Sequence, residues 1–302
     1  MRERPCDLSD EELASALADG WGIEASRLAH RPVGAGGHHW SAGPFFVTVA
    51  ERSAGLEQAL ETAFTLHTVL NSVVAPIRAR DGRLVRPLKD RYALSLFPRL
   101  QGRGGEFGPH RPADRTAVLD LLRDLHRATP AVAATAPRAD LRLPGRADLT
   151  AALAGLDNPW TAGPYAEAAR RLLIRHARRV VERLARLDAL TALLPPVSDW
   201  VITHGEPHPG NIMWTAEGPR LIDWDTVQLA PAERDLWMLT GAMIDAPEPA
   251  GAELPPGVEF YRHWWILADI ANYTGDLRRS HTEGADNAAA LSYLAANLRG
   301  PW

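Results

Sequence analysis

Apolar positions near the start of the chain recur at helical spacing. Ser9 followed by Glu12 makes a capping box, with Leu8 and Leu13 placed to close over it, so a helix is expected to start there and run to about Gly20. From residue 28 to 97 the period shortens. Apolar runs at 45–49 and 92–97, broken by Gly34, Gly36, Gly37 and Gly43, predict antiparallel strands. Between them Leu56, Leu60, Ala63, Phe64 and Leu70 return to helical spacing, so one helix crosses the sheet region. After Pro98 the pattern is helical, with 102–108 reading as a linker. Val118, Leu121, Leu122 and Leu125 mark one amphipathic helix, and an Arg-rich one spans about 164–194. A short strand at 200–203 and a partner at 221–224 bracket a polar loop. From Glu233 the chain is mostly helical, interrupted by a Pro/Gly-rich loop at 246–257. The expectation is an α+β protein of two lobes with a cleft, residues 1–100 sheet-rich and 101–302 largely helical.

Composition narrows the partners. A chain of 302 residues with 46% hydrophobic content can bury a sizeable core. Its formal charge of -4 gives no basic footprint for nucleic acid or an anionic membrane. Cys6 is the only cysteine, which excludes an internal disulfide, a multi-cysteine zinc site and a CxxC pair. No run approaches the ~18 apolar residues of a spanning helix, and the first ten residues lack the apolar core of an export signal. A cytoplasmic protein is therefore expected, with monomer and dimer both open. Lys89 is the only lysine.

The reactive side chains concentrate between 203 and 239. The run His204-Gly205-Glu206-Pro207-His208-Pro209-Gly210-Asn211 precedes Leu221-Ile222-Asp223-Trp224-Asp225 and Glu233-Arg234-Asp235-Leu236. Phosphoryl transfer asks little covalent chemistry of a protein; it needs a carboxylate at the attacking hydroxyl and oxygen ligands for magnesium. Glu206 and Asn211 stand at the acid-x-x-x-x-Asn spacing of a kinase catalytic loop, and Asp223 ends an apolar strand where a second metal ligand would be presented. His204, Glu206 and His208 alternate along the chain, unlike a helical zinc pair, and no PCxxC follows.

The run HGEPHPGN, with LIDWD and LAPAERDLWML after it, resembles the aminoglycoside phosphotransferase family, most closely its spectinomycin phosphotransferase branch. Element order follows that family across nearly the whole chain, and 203–240 is the specific part. The resemblance implies a protein-kinase-like fold, ATP or GTP with Mg2+, and a small-molecule hydroxyl acceptor of antibiotic type (aminoglycoside, aminocyclitol or nucleoside). Carried over by position, Glu206 is implied as the catalytic base, Asn211 and Asp223 as magnesium ligands, Asp235 as a buttress, and His204 as a residue that holds the loop. Gly34, Gly36, Gly37 and His38 take the place of the nucleotide-covering loop, Thr48 that of a strand residue at the phosphates, and Phe97 and Leu100 that of the hinge. Asp225, Asp269 and Trp265 fall on the implied substrate side, where 246–257 would be a lid.

Two positions depart from that pattern. Glu206 stands where the family usually has aspartate, adding one methylene, and a displacement of about 1 Å at such a group can cost about 100-fold in rate. Thr48 stands where the family usually has lysine. Arg52 shares the strand face but lies about 13 Å further along at ~3.3 Å per residue, and Lys89 falls in an expected turn. Glu61 on the crossing helix then lacks the family's ion-pair partner, and His38 or Arg52 is left to supply the charge. These departures keep open a kinase-like protein that binds nucleotide with little turnover; a metabolic kinase for choline, homoserine or a sugar is the third reading. Residues 241–302 carry eight acidic side chains against four arginines, which favours a cationic substrate if they wall its site.

Overall fold

The computed structural model describes residues 3–25, 27–34, 37–239 and 254–300. Helix α1 (Asp10–Trp21) starts at the expected capping box: Ser9 Oγ accepts from Glu12 N at 3.1 Å and Glu12 Oε2 accepts from Ser9 N at 2.8 Å. It stops where Gly22 takes φ 72°, a left-handed value that glycine adopts without a Cβ clash. Strands β1 (Leu28–Arg31), β2 (Gly37–Ala42) and β3 (Phe45–Glu51) lead to α2 (Leu56–His67), then to β4 (Arg86–Leu88) and β5 (Tyr92–Pro98). Among the described residues these five strands form one antiparallel sheet in the order β1-β2-β3-β5-β4.

The period-2 alternation of the strands decides what each face does. Trp40, Val47, Val49, Leu94 and Leu96 bury against Leu13 and Leu17 of α1. Each buried leucine contributes roughly 1.5–3 kcal/mol. His39, Phe46 and Thr48 therefore point to the opposite face. Lys89 sits with φ 53° in the β4–β5 turn, exposed, and pairs with Glu12 at 2.7 Å.

Helix α3 (Arg115–Arg127) buries Val118, Leu121, Leu122 and Leu125, as its spacing predicts, and α4 (Thr129–Val132) follows. Helices α5 (Arg146–Ala154) and α6 (Ala166–Thr191) come next, the second within the expected 164–194. The following strands are β6 (Val201–Thr203), β7 (Ile212–Thr215), β8 (Gly218–Leu221) and β9 (Gln228–Ala230). Here the expected pairing fails: β6 pairs with β9, β7 with β8, and 222–227 is irregular. Asp223 takes φ 68°, which no strand accommodates.

Residues 102–108 are not a loose linker either. Arg103 N donates to Trp214 O at 3.0 Å, and Gly105 N to Pro209 O at 3.1 Å. A Cβ at Gly102 would lie 2.4 Å from Trp214 O and one at Gly105 2.6 Å from Pro209 O. Glycine is needed there for close approach, not for flexibility.

The chain divides into two compact units, Met1–Ala139 with Trp200–Asp235, and Asp140–Asp199 with Leu236–Trp302. The expected lobes 1–100 and 101–302 are a division by function, with which this division by packing does not coincide. The second unit contains α5, α6, α8 (Pro256–Arg278) and α9 (Ala285–Arg299) around Leu173, Val180, Leu187, Phe260, Ile270 and Leu294. Among the described residues no helix is long and apolar enough to cross a membrane.

Candidate active site

The loop from His204 to Asn211 is shaped by groups that lie far from it in sequence. Asp235, fully buried in the short helix α7 (Glu233–Leu236), accepts from Gly205 N at 2.6 Å, His126 Nε2 at 2.9 Å and His204 N at 3.1 Å. His204 Nε2 donates to Ile222 O at 2.8 Å, while Nδ1 accepts from Glu206 N at 3.3 Å. The ring is therefore the neutral tautomer with its proton on Nε2, burial holds its pKa down, and it packs on Trp224 with centroids 4.7 Å apart. Asn211 closes the arrangement: Nδ2 donates to Glu206 O at 3.0 Å, and its carbonyl accepts from Ile222 N at 3.1 Å. Glu206 and Asn211 thus hang from one hydrogen-bonded network, which ends on the backbone of Ile222, the chain neighbour of Asp223.

Asp235 carries a testable load. Burial works against its charge, but hydrogen bonds from His126 and the Gly205 N–H outweigh that and hold the carboxyl below its usual range. Asp235→Ala orphans three donors, at roughly 1–3 kcal/mol each, so chemical denaturation at neutral pH should show a loss on the order of 3 kcal/mol. A depressed pKa stabilises above the unfolded value of about 3.9 and ceases to do so as pH falls through the folded value. The wild type should therefore lose stability below about pH 4 more steeply than the variant.

Sequence reasoning missed the brace under the loop. His110 Nε2 donates to Pro207 O at 2.7 Å, and Phe107 meets the His208 ring edge-on at 4.9 Å. His208 Nδ1 in turn accepts from Gly210 N at 3.1 Å. No motif announces these contacts.

Three carboxylates converge beside this network. Asp223 and Asp225 are open to water, but enough protein surrounds them that charging them is costly. Burial, then the charges of Asp225 and Glu206, push Asp223 up to about 8. Burial and Asp225 push Glu206 up to about 7, while Arg234 pulls it back. A divalent cation would relieve this mutual repulsion. Asn211 Nδ2 is committed to Glu206 O, so its amide oxygen and the Asp223 carboxylate are the atoms suited to hold one. Among the described residues no group of three or more His, Cys, Asp or Glu forms a protein-only metal cage. Two hard oxygen ligands suit magnesium, which completes its shell with phosphate oxygens and water.

Arg234, to which the sequence assigns no role within the run Glu233-Arg234-Asp235-Leu236, is buried at 7% exposure. Its guanidinium donates to Thr203 Oγ1 and Thr226 O, both at 2.9 Å, and to the Gln228 amide oxygen once that amide is oriented toward it. It lies directly beneath Gly205, whose φ is 99° and where a Cβ would come within 2.3 Å of Nη2.

The remaining expected site residues are scattered. Gly34, with φ 70°, and Gly37 border β2, while Gly36 lies outside the described residues, as do 246–253 of the expected lid. His38 is a correction: strand parity turns it to the α1 face, where Nδ1 lies 2.9 Å from Glu3 O, and it is His39 that shares the face of Thr48, with Nδ1 3.2 Å from Thr48 Oγ1. Phe97, half-buried, pairs across the sheet with Phe46, and Leu100 is half-buried beyond β5. Glu61 finds a cation after all, since Arg78 binds its two carboxylate oxygens at 2.8 and 2.9 Å. Asp269 and Trp265 belong to the second unit. There Asp269 accepts from Asn297 at 3.1 Å and Trp265 packs on Trp237 with centroids 5.7 Å apart.

Similar folds are known. The spectinomycin phosphotransferase APH(9)-Ia, solved with ADP and spectinomycin, superposes with a TM-score of 0.75 over 95% of this chain and 94% of its own, at 19% identity. A microcompartment-associated aminopropanol kinase gives 0.61 over 96% and 95% at 15% identity. Amicoumacin kinase hAmiN, solved with AMP-PNP, Ca2+ and its ligand, gives 0.59 over 96% and 93% at 14% identity. Protein StrN of Streptomyces griseus is 28% identical over 294 residues, 92% of this chain and 88% of that protein. The α+β fold, with its small antiparallel sheet and helical part, is thus that of the kinase-like small-molecule phosphotransferases. Residues 37–272 match the model of the phosphotransferase enzyme family, APH, and the chain belongs to it. It is a phosphotransferase that acts on hydroxyl groups of small molecules.

Proposed function

We propose that this protein, acting in the cytoplasm, transfers the γ-phosphoryl group of ATP or GTP to a hydroxyl of an antibiotic-like aminocyclitol, aminoglycoside or nucleoside. The observation that carries the reading is the single network that suspends Glu206 and Asn211 and fixes the backbone of Ile222 next to Asp223, whose carboxylate feels the charge of Glu206. Residues 1–100 would hold the nucleotide and 101–302 the catalytic loop and acceptor. Magnesium on Asn211 and Asp223 would offset the charge of the phosphates as it shifts during transfer. Glu206 orients the acceptor hydroxyl and takes its proton on a carboxylate oxygen. The acceptor oxygen bonds to the γ-phosphorus as the bond to the β–γ bridging oxygen breaks, and the nucleoside diphosphate leaves. A carboxyl poised near pH 7 by burial and Asp225 suits a general base. His204, Asp235 and Arg234 do their part from beneath, by keeping that carboxylate and Asn211 in place.

Thr48 and Glu206 favour a second reading, a kinase-like protein that binds nucleotide with little turnover. Incubation with ATP or GTP, Mg2+ and a panel of aminocyclitols, aminoglycosides, nucleoside antibiotics, choline, homoserine and sugars separates the cases. Acceptor-dependent nucleotide consumption with a phosphorylated antibiotic by mass spectrometry is the expected result. Turnover confined to choline, homoserine or a sugar would make it a metabolic kinase; binding without turnover across the panel would leave the second reading.

A further inference from the structure

The face of the sheet that carries Thr48 has an unexpected occupant. Register pairs His39 with Thr48, and the His39 ring stacks on Phe46 with centroids 5.2 Å apart and planes 26° from parallel. Its Nδ1 lies 3.2 Å from Thr48 Oγ1. Its Nε2 points to the glycine turn, since a Cβ built on Gly34 would sit 3.4 Å from Nε2 and one on Gly37 3.5 Å from Cε1. The ring therefore lies between the glycine turn and the strand position from which kinases reach the phosphates with lysine.

We propose that His39 is a nucleotide-binding residue of this protein, donating from Nε2 to a phosphate oxygen beneath the glycine turn in the place of the absent lysine. The inference rests on the kinase reading above. The Thr48 hydroxyl can donate to Nδ1, and in that arrangement the ring proton resides on Nε2, on the side of the phosphate. Burial holds the ring pKa down to about 4 without ligand, so it offers a neutral donor. Arg78 has meanwhile taken over Glu61, which leaves the two halves of the usual lysine–glutamate pair separately provided for. Gly34 and Gly37 place no side chain of their own against the ring.

Equilibrium titration with ATP and Mg2+ tests this. His39→Leu should weaken ATP binding about tenfold or more, the worth of one hydrogen bond to a charged group. His39→Gln, whose amide nitrogen reaches the Nε2 position, should recover most of the loss, and the melting temperatures of both should stay close to the wild type. A folded His39→Leu that binds ATP as the wild type does overturns the assignment of His39 and leaves the kinase reading standing. A wild type that binds no nucleotide overturns the kinase reading itself. Ring 15N signals of the wild type give an arm independent of any variant: those of His39 should move on addition of ATP, and their constancy at saturating ATP overturns the proposal.

Discussion

Asp223→Ala is expected to lower magnesium-dependent turnover by about a thousandfold or more while the protein stays folded. Asp223 is open to water, and the charges that act on its carboxylate are the like charges of Asp225 and Glu206. Its removal takes no acceptor away from the network that Asp235 and His204 hold, and it relieves repulsion. A metal's charge stabilisation is worth several kcal/mol in the transition state, and ~4 kcal/mol is about a thousandfold in rate. The backbone supplies a control. Asp223 holds φ 68°, which asparagine tolerates better than alanine does. Asp223→Asn should therefore melt at or above the wild-type temperature while losing turnover to the same degree. Undiminished turnover in either folded variant would remove Asp223 from the metal site, and with it the assignment of Asn211.

Glu206→Gln should cost about 100- to 10,000-fold in kcat, the usual span for a general base. The amide keeps the size of the side chain, and the contacts that place the loop run through the backbone: Asn211 Nδ2 to Glu206 O and Glu206 N to His204 Nδ1. The KM for nucleotide should accordingly change little. A large rise in that KM with kcat preserved would mean that Glu206 binds nucleotide, and the base would have to be sought at Asp225, the neighbouring carboxylate. Steady-state kinetics on one responsive acceptor gives both parameters.

Much of this site was legible because it is written in consecutive residues. Glu206 and Asn211 are five apart on one loop, so spacing alone brings them together, and Asp223 follows on the next segment. Helices α1 and α3 were legible for a related reason, since a capping box and an i, i+3, i+4 stripe are local signals. The pairing of β6 with β9 was hidden because strands of three residues carry no readable alternation. The brace from Gly105, Phe107 and His110 was hidden because glycine serves a linker and a close backbone approach equally well. His38 and His39 show how sharp parity is: one residue of shift exchanges the two faces of a strand. The alternation itself was available, since Trp40 and Val47 belong to the buried face and His39 cannot. Arg234 left no trace at all, because a buried arginine and an exposed one look alike in a charged helical run.

The fit of Arg234 beneath Gly205 has a consequence for how this loop can diverge. A methyl group at 205 would need the volume that the guanidinium fills and would be strained at φ 99°, so a larger residue at 205 demands both a shorter one at 234 and a re-set backbone. A shortened 234 would also vacate the anchors at Thr203 and Thr226. Any lineage or design that alters one of the pair must therefore re-solve the seating of the loop that leads into Glu206.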